Sequence, residues 1–265
     1  MKNPKISIIT VVKDGMPYLA DCLRSFQLQN YSNKEHVIIY SDSSDGTEEF
    51  LKSKKKNITI LKKDKKFNNK WDCLNLGAKV ATGDIIGILH ADDIFYNKNT
   101  LSYIARNFSD KYEFIYGNLL FCEKDNILKI KREWISEKID IDKLKYGWMA
   151  PHPSFFVRKK ILLKNKYINH YNISGDYYFM LRLFHKKYKH KFLNHILCIM
   201  RLGGGSTNIK NILAKFNQDL KIAKSFFENY YICVFFKIFR KIFQFKLLTK
   251  DLKNNDYFIN LNKKV

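Results

Sequence analysis

The sequence predicts an α/β fold in which a mostly parallel sheet is flanked by helices and followed by a helical C-terminal tail. Short β-branched runs alternate with helical patterns in the first half of the chain, polar turns follow these runs, and a basic amphipathic segment lies near the C-terminus. Strands that alternate with helices at this spacing form βαβ units, whose strands run parallel. With 265 residues, of which 46% are hydrophobic, the chain is long enough to bury one large core.

Four buried strands and three helices are predicted in the first half of the chain. The strands are Ile6–Val12, His36–Tyr40, Ile58–Leu61 and Ile85–Leu89, and the helices begin at Pro17, near Thr47 and at Asn69. Proline suits the first turn of a helix, because its missing N–H would have no helical partner there. The second half is less regular. It predicts strands at Phe114–Tyr116 and Phe155–Val157, and a helix from Ser174 to His185 with Ser174 as its N-cap.

The composition limits the class of protein. The formal charge of +23 arises from 48 Lys and Arg against 25 Asp and Glu. Such an excess attracts phosphate-rich partners, although lysines spread over solvated faces would also account for it. The five cysteines include no Cys-x-x-Cys pair, so neither a disulfide framework nor a zinc site is expected. No apolar stretch reaches about 18 residues, and we expect a cytoplasmic protein.

Aspartates follow each of the four predicted strands. They are Asp14 after the first strand, Asp42 and Asp45 after the second, Asp64 after the third, and Asp92 and Asp93 after the fourth. In open parallel sheets, ligands bind outside the carboxyl ends of the strands. We therefore expect these turns to meet at one ligand site.

Two of these positions suggest specific chemistry. Asp92 and Asp93 end a buried strand, and Mg²⁺ and Mn²⁺ are commonly bound by one or two carboxylates together with substrate phosphates. An aspartate at a strand-to-helix turn is also an ordinary helix cap. Asp176 opens the predicted helix of the second half. It suits a general base that deprotonates a hydroxyl, or an acidic residue that favours the helix dipole.

The order of these motifs is more specific than any one of them. The chain presents Thr10-Val11-Val12, then Asp45-Gly46-Thr47, then Ala91-Asp92-Asp93, and finally Ser174-Gly175-Asp176. This succession resembles the family 2 glycosyltransferases of bacterial cell-surface polysaccharide synthesis, which have the GT-A fold with a Rossmann-like, mostly parallel sheet. The resemblance covers roughly residues 4 to 208.

The resemblance implies a role for each matching residue. In the family pattern, Thr10, Val11, Asp42, Asp45 and Asp64 would contact the nucleotide-sugar donor, Asp92 would bind Mn²⁺ or Mg²⁺, and Asp93 would support the donor sugar or the metal. Asp176 would be the catalytic base. His152, on the acceptor side, and Gly204 and Ser206, in a loop that closes over the diphosphate, complete the expected site.

The predicted domain organisation follows the same pattern. Residues 1–208 form the glycosyltransferase domain, with a nucleotide-sugar half (1–110) and an acceptor half (111–208), and residues 209–265 form the tail. Within the tail, Lys237, Arg240, Lys241 and Gln244 recur at helical spacing and form one polar stripe. A basic amphipathic helix suits an anionic membrane surface. The alternative is a helix that packs on the catalytic domain or on a second copy of the chain in a homodimer, with its lysines exposed.

These observations predict an inverting transfer of a sugar from a nucleotide-sugar, most simply a UDP-sugar, to a glycan or lipid-linked acceptor at the inner face of the plasma membrane. The resemblance implies a hexosyl- or N-acetylhexosaminyl-transferase. One alternative is a sugar nucleotidyltransferase, for which Thr10–Gly15 is a poor triphosphate loop. The other is a basic nucleic-acid-binding protein. No nucleic-acid-binding motif is visible, so we expect no nucleic-acid partner.

Overall fold

A computed structural model describes residues 3–54, 58–64, 67, 69–203, 212–244 and 250–261. Two predicted site residues, Gly204 and Ser206, lie outside these ranges. Their expected role at the diphosphate stays a prediction.

The first half of the chain alternates strands and helices as predicted. Its elements are β1 (Ile6–Val12), α1 (Tyr18–Gln27), β2 (Lys34–Tyr40), α2 (Thr47–Lys52), β3 (Ile58–Lys62), α3 (Lys70–Val80), β4 (Ile85–Ile88), β5 (Ile94–Phe95) and α4 (Thr100–Asn107). β1 pairs in parallel with β2 on one side and with β4 on the other, and β2 pairs in parallel with β3. The carboxyl ends of these four strands therefore lie along one edge of the sheet.

The second half adds mostly antiparallel strands to the same sheet. Its elements are β6 (Phe114–Cys122), β7 (Lys129–Trp134), α5 (Ile141–Lys145), a 3₁₀ turn (His152–Ser154), β8 (Phe155–Arg158), α6 (Lys159–Lys164), α7 (Gly175–His185), β9 (His190–Arg201), α8 (Ile212–Lys224), α9 (Tyr230–Gln244), β10 (Lys250–Asp251) and α10 (Asp256–Leu261). β8 pairs antiparallel with both β4 and β6, and so joins the two halves. The strand order is β10-β7-β6-β8-β4-β1-β2-β3, with β9 parallel to β6 and antiparallel to β5.

Helices cover both faces of the sheet, which confirms the predicted α/β class. On one face, α3 and α7 bury Trp71, Leu74 and Leu183 in a cluster that also contains Ile222 of α8. On the other face, α1 and α4 bury a second cluster that includes Phe26. Burial of such side chains stabilises the fold by about 1.5–3 kcal/mol each relative to exposure. The sheet edge that carries the strand ends is thus fixed between two packed layers.

The described part of the tail packs against the rest of the chain. Cys233 of α9 is fully buried, and the backbone of α9 passes so close to Gly147 that a Cβ there would lie 2.5 Å from the Cys233 carbonyl oxygen. β10 pairs antiparallel with β7. In α10, the Tyr257 hydroxyl donates to the Phe95 carbonyl at 2.7 Å. The boundary between residues 208 and 209 stays a prediction.

The orientation of α9 differs from the packed-helix interpretation of the tail, in which the lysines would be exposed. Lys237 is almost fully buried, and Lys237 and Arg240 face the interior cleft of the protein. The outward face instead carries Tyr231, Phe235 and Ile238, whose exposed fractions are 66%, 63% and 43%. Lys237 turns inward because it pairs with Asp219 of α8, with 3.0 Å between its Nζ and an Asp219 carboxylate oxygen. None of the described helices is both long enough and apolar enough to cross a membrane.

Candidate active site

One large cleft lies at the carboxyl ends of β1 and β4. Its volume is about 1190 Å³, and its walls come from the β1–α1 loop, the turn after β4, the N-termini of α3 and α7, and the inner faces of α8 and α9. Asp92 and Asp176, which are 84 residues apart in sequence, both line it. The sheet therefore gathers the predicted metal ligand and the predicted base at a single site.

Asp92 is held at the cleft by a buried arginine. The turn after β4 is closed by a bond from the Asp93 N–H to the His90 carbonyl at 3.0 Å. The guanidinium of Arg201, at the end of β9, donates to the Asp92 carbonyl at 2.7 Å. The same group donates to the Asp21 carboxylate at 2.5 Å and to the Lys124 carbonyl at 3.0 Å. Arg201 thus ties the turn that carries Asp92 to α1 and to the loop after β6.

Arg201 also lines the cleft, although the sequence analysis did not select it. It ends the long strand β9, which the sequence did not predict, and its partners are mostly backbone carbonyls. Backbone acceptors leave no trace in the pattern of side chains. The only signal available was a charged residue directly after the apolar run Ile196–Met200.

Asp93 lies in the protein interior and does not line the cleft. Its exposed fraction is 0%. Burial, followed by the charge of the neighbouring Asp92, raises the pKa of Asp93 well above its ordinary value, because both disfavour the charged form of the carboxyl. Its expected role in supporting the donor sugar or the metal stays a prediction.

Asp176 begins α7 and faces the cleft with a charged carboxylate. Its Oδ1 accepts a bond from the Tyr177 N–H at 2.8 Å. Burial acts to raise the pKa of this carboxyl, but the nearby Lys215, followed by His152 and Lys70, lowers it to about 2. At neutral pH the group is therefore ionised and able to accept a proton.

The position of Asp176 depends on a close contact just before it. A Cβ on Gly175 would lie 2.5 Å from Cε2 of the Trp71 indole. The indole is itself fixed, because its Nε1 donates to the Tyr171 carbonyl at 2.7 Å. Ser174 makes no side-chain cap, which differs from its predicted role. The amide of Gln218 on α8 accepts instead from the Ser174 N–H at 3.1 Å.

Two histidine rings line the same cleft as the two aspartates. His90 follows β4 and His152 lies in the 3₁₀ turn before β8, and their ring centroids are 5.7 Å apart. The His152 Nε2 is 2.8 Å from the Tyr167 hydroxyl. Burial lowers the pKa of His152 to about 3, and burial and Lys70 also lower the pKa of His90. His152, predicted on the acceptor side, therefore lines the cleft as a neutral group.

Of the predicted donor-binding residues, only Val11 lines the cleft. Thr10, the residue before it, is fully buried and its hydroxyl donates to the Leu89 carbonyl at 2.7 Å. The Thr10 side chain thus ties β1 to the residue after β4, and its predicted contact with the donor stays a prediction. Asp64 is exposed on the loop after β3 and does not line the cleft.

Asp42 and Asp45 shape the loops near the cleft and do not line it. The Asp45 carboxylate accepts from the Met16 N–H at 2.7 Å and from the Thr47 hydroxyl at 2.6 Å. Asp42 is exposed and forms an ion pair with Lys62, with 2.8 Å between the charged atoms. Asp45 therefore joins the loops after β1 and β2, and the predicted contacts of Asp42 and Asp45 with the donor stay predictions.

The cleft offers few protein ligands for a metal ion. Within the described ranges, no group of three or more His, Cys, Asp or Glu side chains is arranged to hold one. Asp92 and the neutral His90 do face the cleft at the same turn. Mg²⁺ and Mn²⁺ are often bound by only one or two protein groups, with substrate phosphates and water completing the coordination shell. These residues therefore fit a cation that arrives with a diphosphate-bearing ligand.

Comparison with known proteins identifies the family. Residues 7–188 match the sequence profile described as Glycosyl transferase family 2. The chain belongs to this family. The predicted resemblance is thereby confirmed, and the matched region contains Asp92, His152 and Asp176 but ends before α8 and α9.

Two relatives show the range of family members that the chain is similar to. It is 26% identical to an uncharacterized glycosyltransferase of Methanocaldococcus jannaschii, over 76% of this chain and 72% of that protein. It is 25% identical to the GalNAc(5)-diNAcBac-PP-undecaprenol β-1,3-glucosyltransferase of Campylobacter jejuni, over 71% of this chain and 63% of that one. The chain thus spans less than two thirds of the Campylobacter enzyme.

Solved structures confirm the GT-A fold. The S. aureus TarS fragment 1–349 in complex with UDP-GlcNAc is similar with a TM-score of 0.66 and 15% identity, over 83% of this chain and 65% of that one. The mannosyltransferase PcManGT of Pyrobaculum calidifontis, solved with GDP-Man and Mn²⁺, is similar with a TM-score of 0.59 and 15% identity, over 90% and 65%. Glycosyltransferase membership and the fold are therefore both established.

Proposed function

We propose that the chain transfers a sugar from a nucleotide-sugar, most simply a UDP-sugar, to a glycan or lipid-linked acceptor, with inversion at the anomeric carbon. The observation that carries the proposal is the shared cleft of Asp92 and Asp176. The complexes of similar structures with UDP-GlcNAc and GDP-Man support a nucleotide-sugar donor. The transferred group would be a hexosyl or N-acetylhexosaminyl unit, and the Campylobacter relative supports a lipid-linked acceptor.

The donor would bind at the strand ends. Asp92, with His90 beside it, would hold Mn²⁺ or Mg²⁺, and the backbone of Val11 would line the base. When bound, the cation neutralises negative charge on the departing diphosphate. Arg201 keeps the Asp92 backbone in place through its 2.7 Å bond, so that the carboxylate needs little reorganisation during the reaction.

Asp176 would act as the base on the acceptor. An acceptor hydroxyl oxygen attacks the anomeric carbon, the bond from that carbon to the diphosphate oxygen breaks, and the hydroxyl proton passes to the Asp176 carboxylate. A single displacement of this kind inverts the anomeric configuration. The carboxylate is ionised because its pKa is lowered to about 2, and its position is fixed by the contact between Gly175 and Trp71.

The exposed apolar side chains and the positive charge of the tail support binding at a membrane surface. The outward face of α9 carries Tyr231, Phe235 and Ile238, and Leu213 of α8 is 78% exposed. Residues 209–265 contain twelve Lys and Arg against four Asp and Glu. An exposed apolar face in a basic segment is typical of proteins that bind anionic leaflets. We therefore propose a cytoplasmic protein bound peripherally at the inner face of the plasma membrane, with a homodimer through this face as the competing outcome.

A binding screen tests the donor assignment. UDP-, GDP- and dTDP-sugars are added to the full chain with and without Mn²⁺, and the thermal midpoint is measured. At a ligand concentration of 100 times Kd, binding adds about 2.7 kcal/mol to the free energy of unfolding. We expect one UDP-sugar to raise the midpoint in the presence of Mn²⁺, and Asp92→Asn to remove this dependence on Mn²⁺. A chain that responds to no nucleotide-sugar would refute the proposal.

A further inference from the structure

We propose that α8 and α9 carry a phosphate-binding subsite for the acceptor, in which Lys215 and Arg240 contact the phosphate and the buried Lys237 adds positive charge without contacting it, and that the acceptor is a lipid joined to its glycan through phosphate. This inference rests on the proposed function, because it names the class of acceptor for the same cleft. The three cations lie beyond residues 7–188, so the family match assigns them no role.

The three side chains face the cleft next to the proposed base. The Lys237 Nζ lies 3.1 Å from the centroid of the Tyr177 ring, and the Tyr177 N–H donates to the Asp176 carboxylate. The Lys215 Nζ donates to the Ser174 hydroxyl at 3.3 Å, two residues before Asp176. The subsite therefore borders the acceptor side of the cleft and not the turn that carries Asp92.

Arg240 has the donors that a phosphate needs. Its Nε donates to the Tyr146 carbonyl at 3.2 Å, and its guanidinium lies 5.2 Å from the centroid of the Trp148 ring. Among the residues that the structure describes, its two terminal nitrogens make no hydrogen bond. A guanidinium that lies over an aromatic ring and lines an open cleft is well suited to bidentate binding of phosphate.

The charge of the cleft exceeds what the donor requires. Among the described residues, seven Lys and Arg side chains line it against three Asp. The diphosphate of a nucleotide-sugar and its divalent cation largely neutralise each other. Asp219 of α8 pairs with both Lys237 and Lys215, at 3.0 Å and 3.7 Å, and Asp21 pairs with Arg201 at 2.5 Å. Seven cations therefore face five carboxylates when these two are included. The positive charge that remains favours a second anion in the cleft.

The outer face of the same helix identifies the source of that phosphate. Tyr231, Phe235 and Ile238 of α9 lie opposite the inward-facing Lys237 and are exposed, as is Leu213 of α8. A ligand with a phosphate joined to a long hydrocarbon chain matches both faces at once, since its head binds the cations and its chain leaves the cleft over the aromatic side chains. A soluble glycan phosphate would use only the inner face.

Binding of prenyl diphosphate tests the subsite without any transfer reaction. We titrate the full chain with farnesyl diphosphate, inorganic diphosphate or farnesol and determine Kd from tryptophan fluorescence. A chelator is present, so that no divalent cation brings phosphate to Asp92. We expect farnesyl diphosphate to bind at least about tenfold more tightly than the other two. Because one charge-assisted contact is lost, Arg240→Gln should weaken its binding roughly tenfold.

A matched variant controls for net charge. Lys221→Gln removes one positive charge from the exposed side of α8, away from the cleft, and should leave the Kd unchanged. Equal binding of inorganic diphosphate would overturn the lipid assignment. Unchanged binding by Arg240→Gln, or an equal loss in Lys221→Gln, would overturn the subsite. If nucleotide-sugars bind and transfer proceeds while either of these results is obtained, only the acceptor inference fails. If prenyl diphosphate binds but no nucleotide-sugar does, the phosphate subsite stands and the proposed function fails.

Discussion

Substitution of Gly175 by alanine tests how precisely the base must be placed. The added Cβ would lie 2.5 Å from Cε2 of Trp71, whereas carbon atoms in ordinary contact are about 3.5–4.0 Å apart. Because the indole is held by its bond to Tyr171, the first turn of α7 must move by roughly 1 Å, and Asp176 moves with it. A displacement of about 1 Å can cost about a hundredfold in rate, which corresponds to about 2.7 kcal/mol in the barrier.

The assay is kcat for sugar transfer, together with the free energy of unfolding from denaturant titration. Gly77→Ala is the matched control, because a Cβ there would lie 2.6 Å from Cγ2 of Ile9 in the core between α3 and β1. Both variants should lose about 1–3 kcal/mol of stability through overpacking. Only Gly175→Ala should lose about a hundredfold in kcat.

Rescue makes the test independent of stability. Combining Gly175→Ala with Trp71→Phe removes the part of the ring that the new Cβ meets, and should restore part of the lost kcat. A folded Gly175→Ala variant with the parent kcat would refute the reasoning. An equal fall in kcat for Gly77→Ala would also refute it, because the effect would then follow from general overpacking.

Three further predictions follow from the charged and apolar groups. Bonds from Ser7 and Thr82 outweigh burial and lower the pKa of Glu35 to about 2, so the stabilisation of the fold by the Glu35 carboxylate is complete above about pH 4.5 and is lost as the pH falls toward 2. Glu35→Gln should lower the free energy of unfolding by about 1–3 kcal/mol at pH 7. A difference in unfolding free energy between this variant and the parent that does not shrink on acidification would contradict this. With the pKa of Asp176 at about 2, kcat/KM should not fall through protonation of this base as the pH is lowered from 8 to 5. An apparent pKa near 6 in the pH profile, shifted by Asp176→Glu, would disprove the ionised state of Asp176. Phe235→Asn should weaken binding to anionic vesicles by tenfold or more, whereas Ile135→Asn, which removes a 48% exposed side chain elsewhere, should not; equal effects would exclude docking through α9.

The hydrophobic pattern of the sequence predicted the part of the site that lies at the ends of the parallel strands. β1 matches its predicted bounds and β2 lies within two residues of them, because runs of Val and Ile both favour strands and fill a buried sheet. Once those strands are parallel, their carboxyl ends must share an edge. The approach of Asp92 to the cleft follows from this topology.

Contacts between distant segments could not be predicted in the same way. The spacing of Lys237 and Arg240 showed that they share one face of a helix, but the direction of that face depends on Asp219, 18 residues away on a different helix. The bonds that the Asp45 carboxylate accepts from Met16 and Thr47 are of the same kind, because they join the loops that follow two different strands. Pairing of loops determines such roles, and sequence spacing does not encode it.

The most direct measurement of the central claim separates donor binding from transfer in the Asp176→Asn variant. Asparagine keeps the size of the side chain but cannot accept the acceptor proton, and loss of a general base costs about a hundredfold to ten-thousandfold in rate. We predict that this variant binds the UDP-sugar with Mn²⁺ as tightly as the parent while transfer falls by that factor. Transfer at the parent rate, or loss of donor binding together with transfer, would contradict a cleft in which Asp92 serves the donor and Asp176 serves the acceptor.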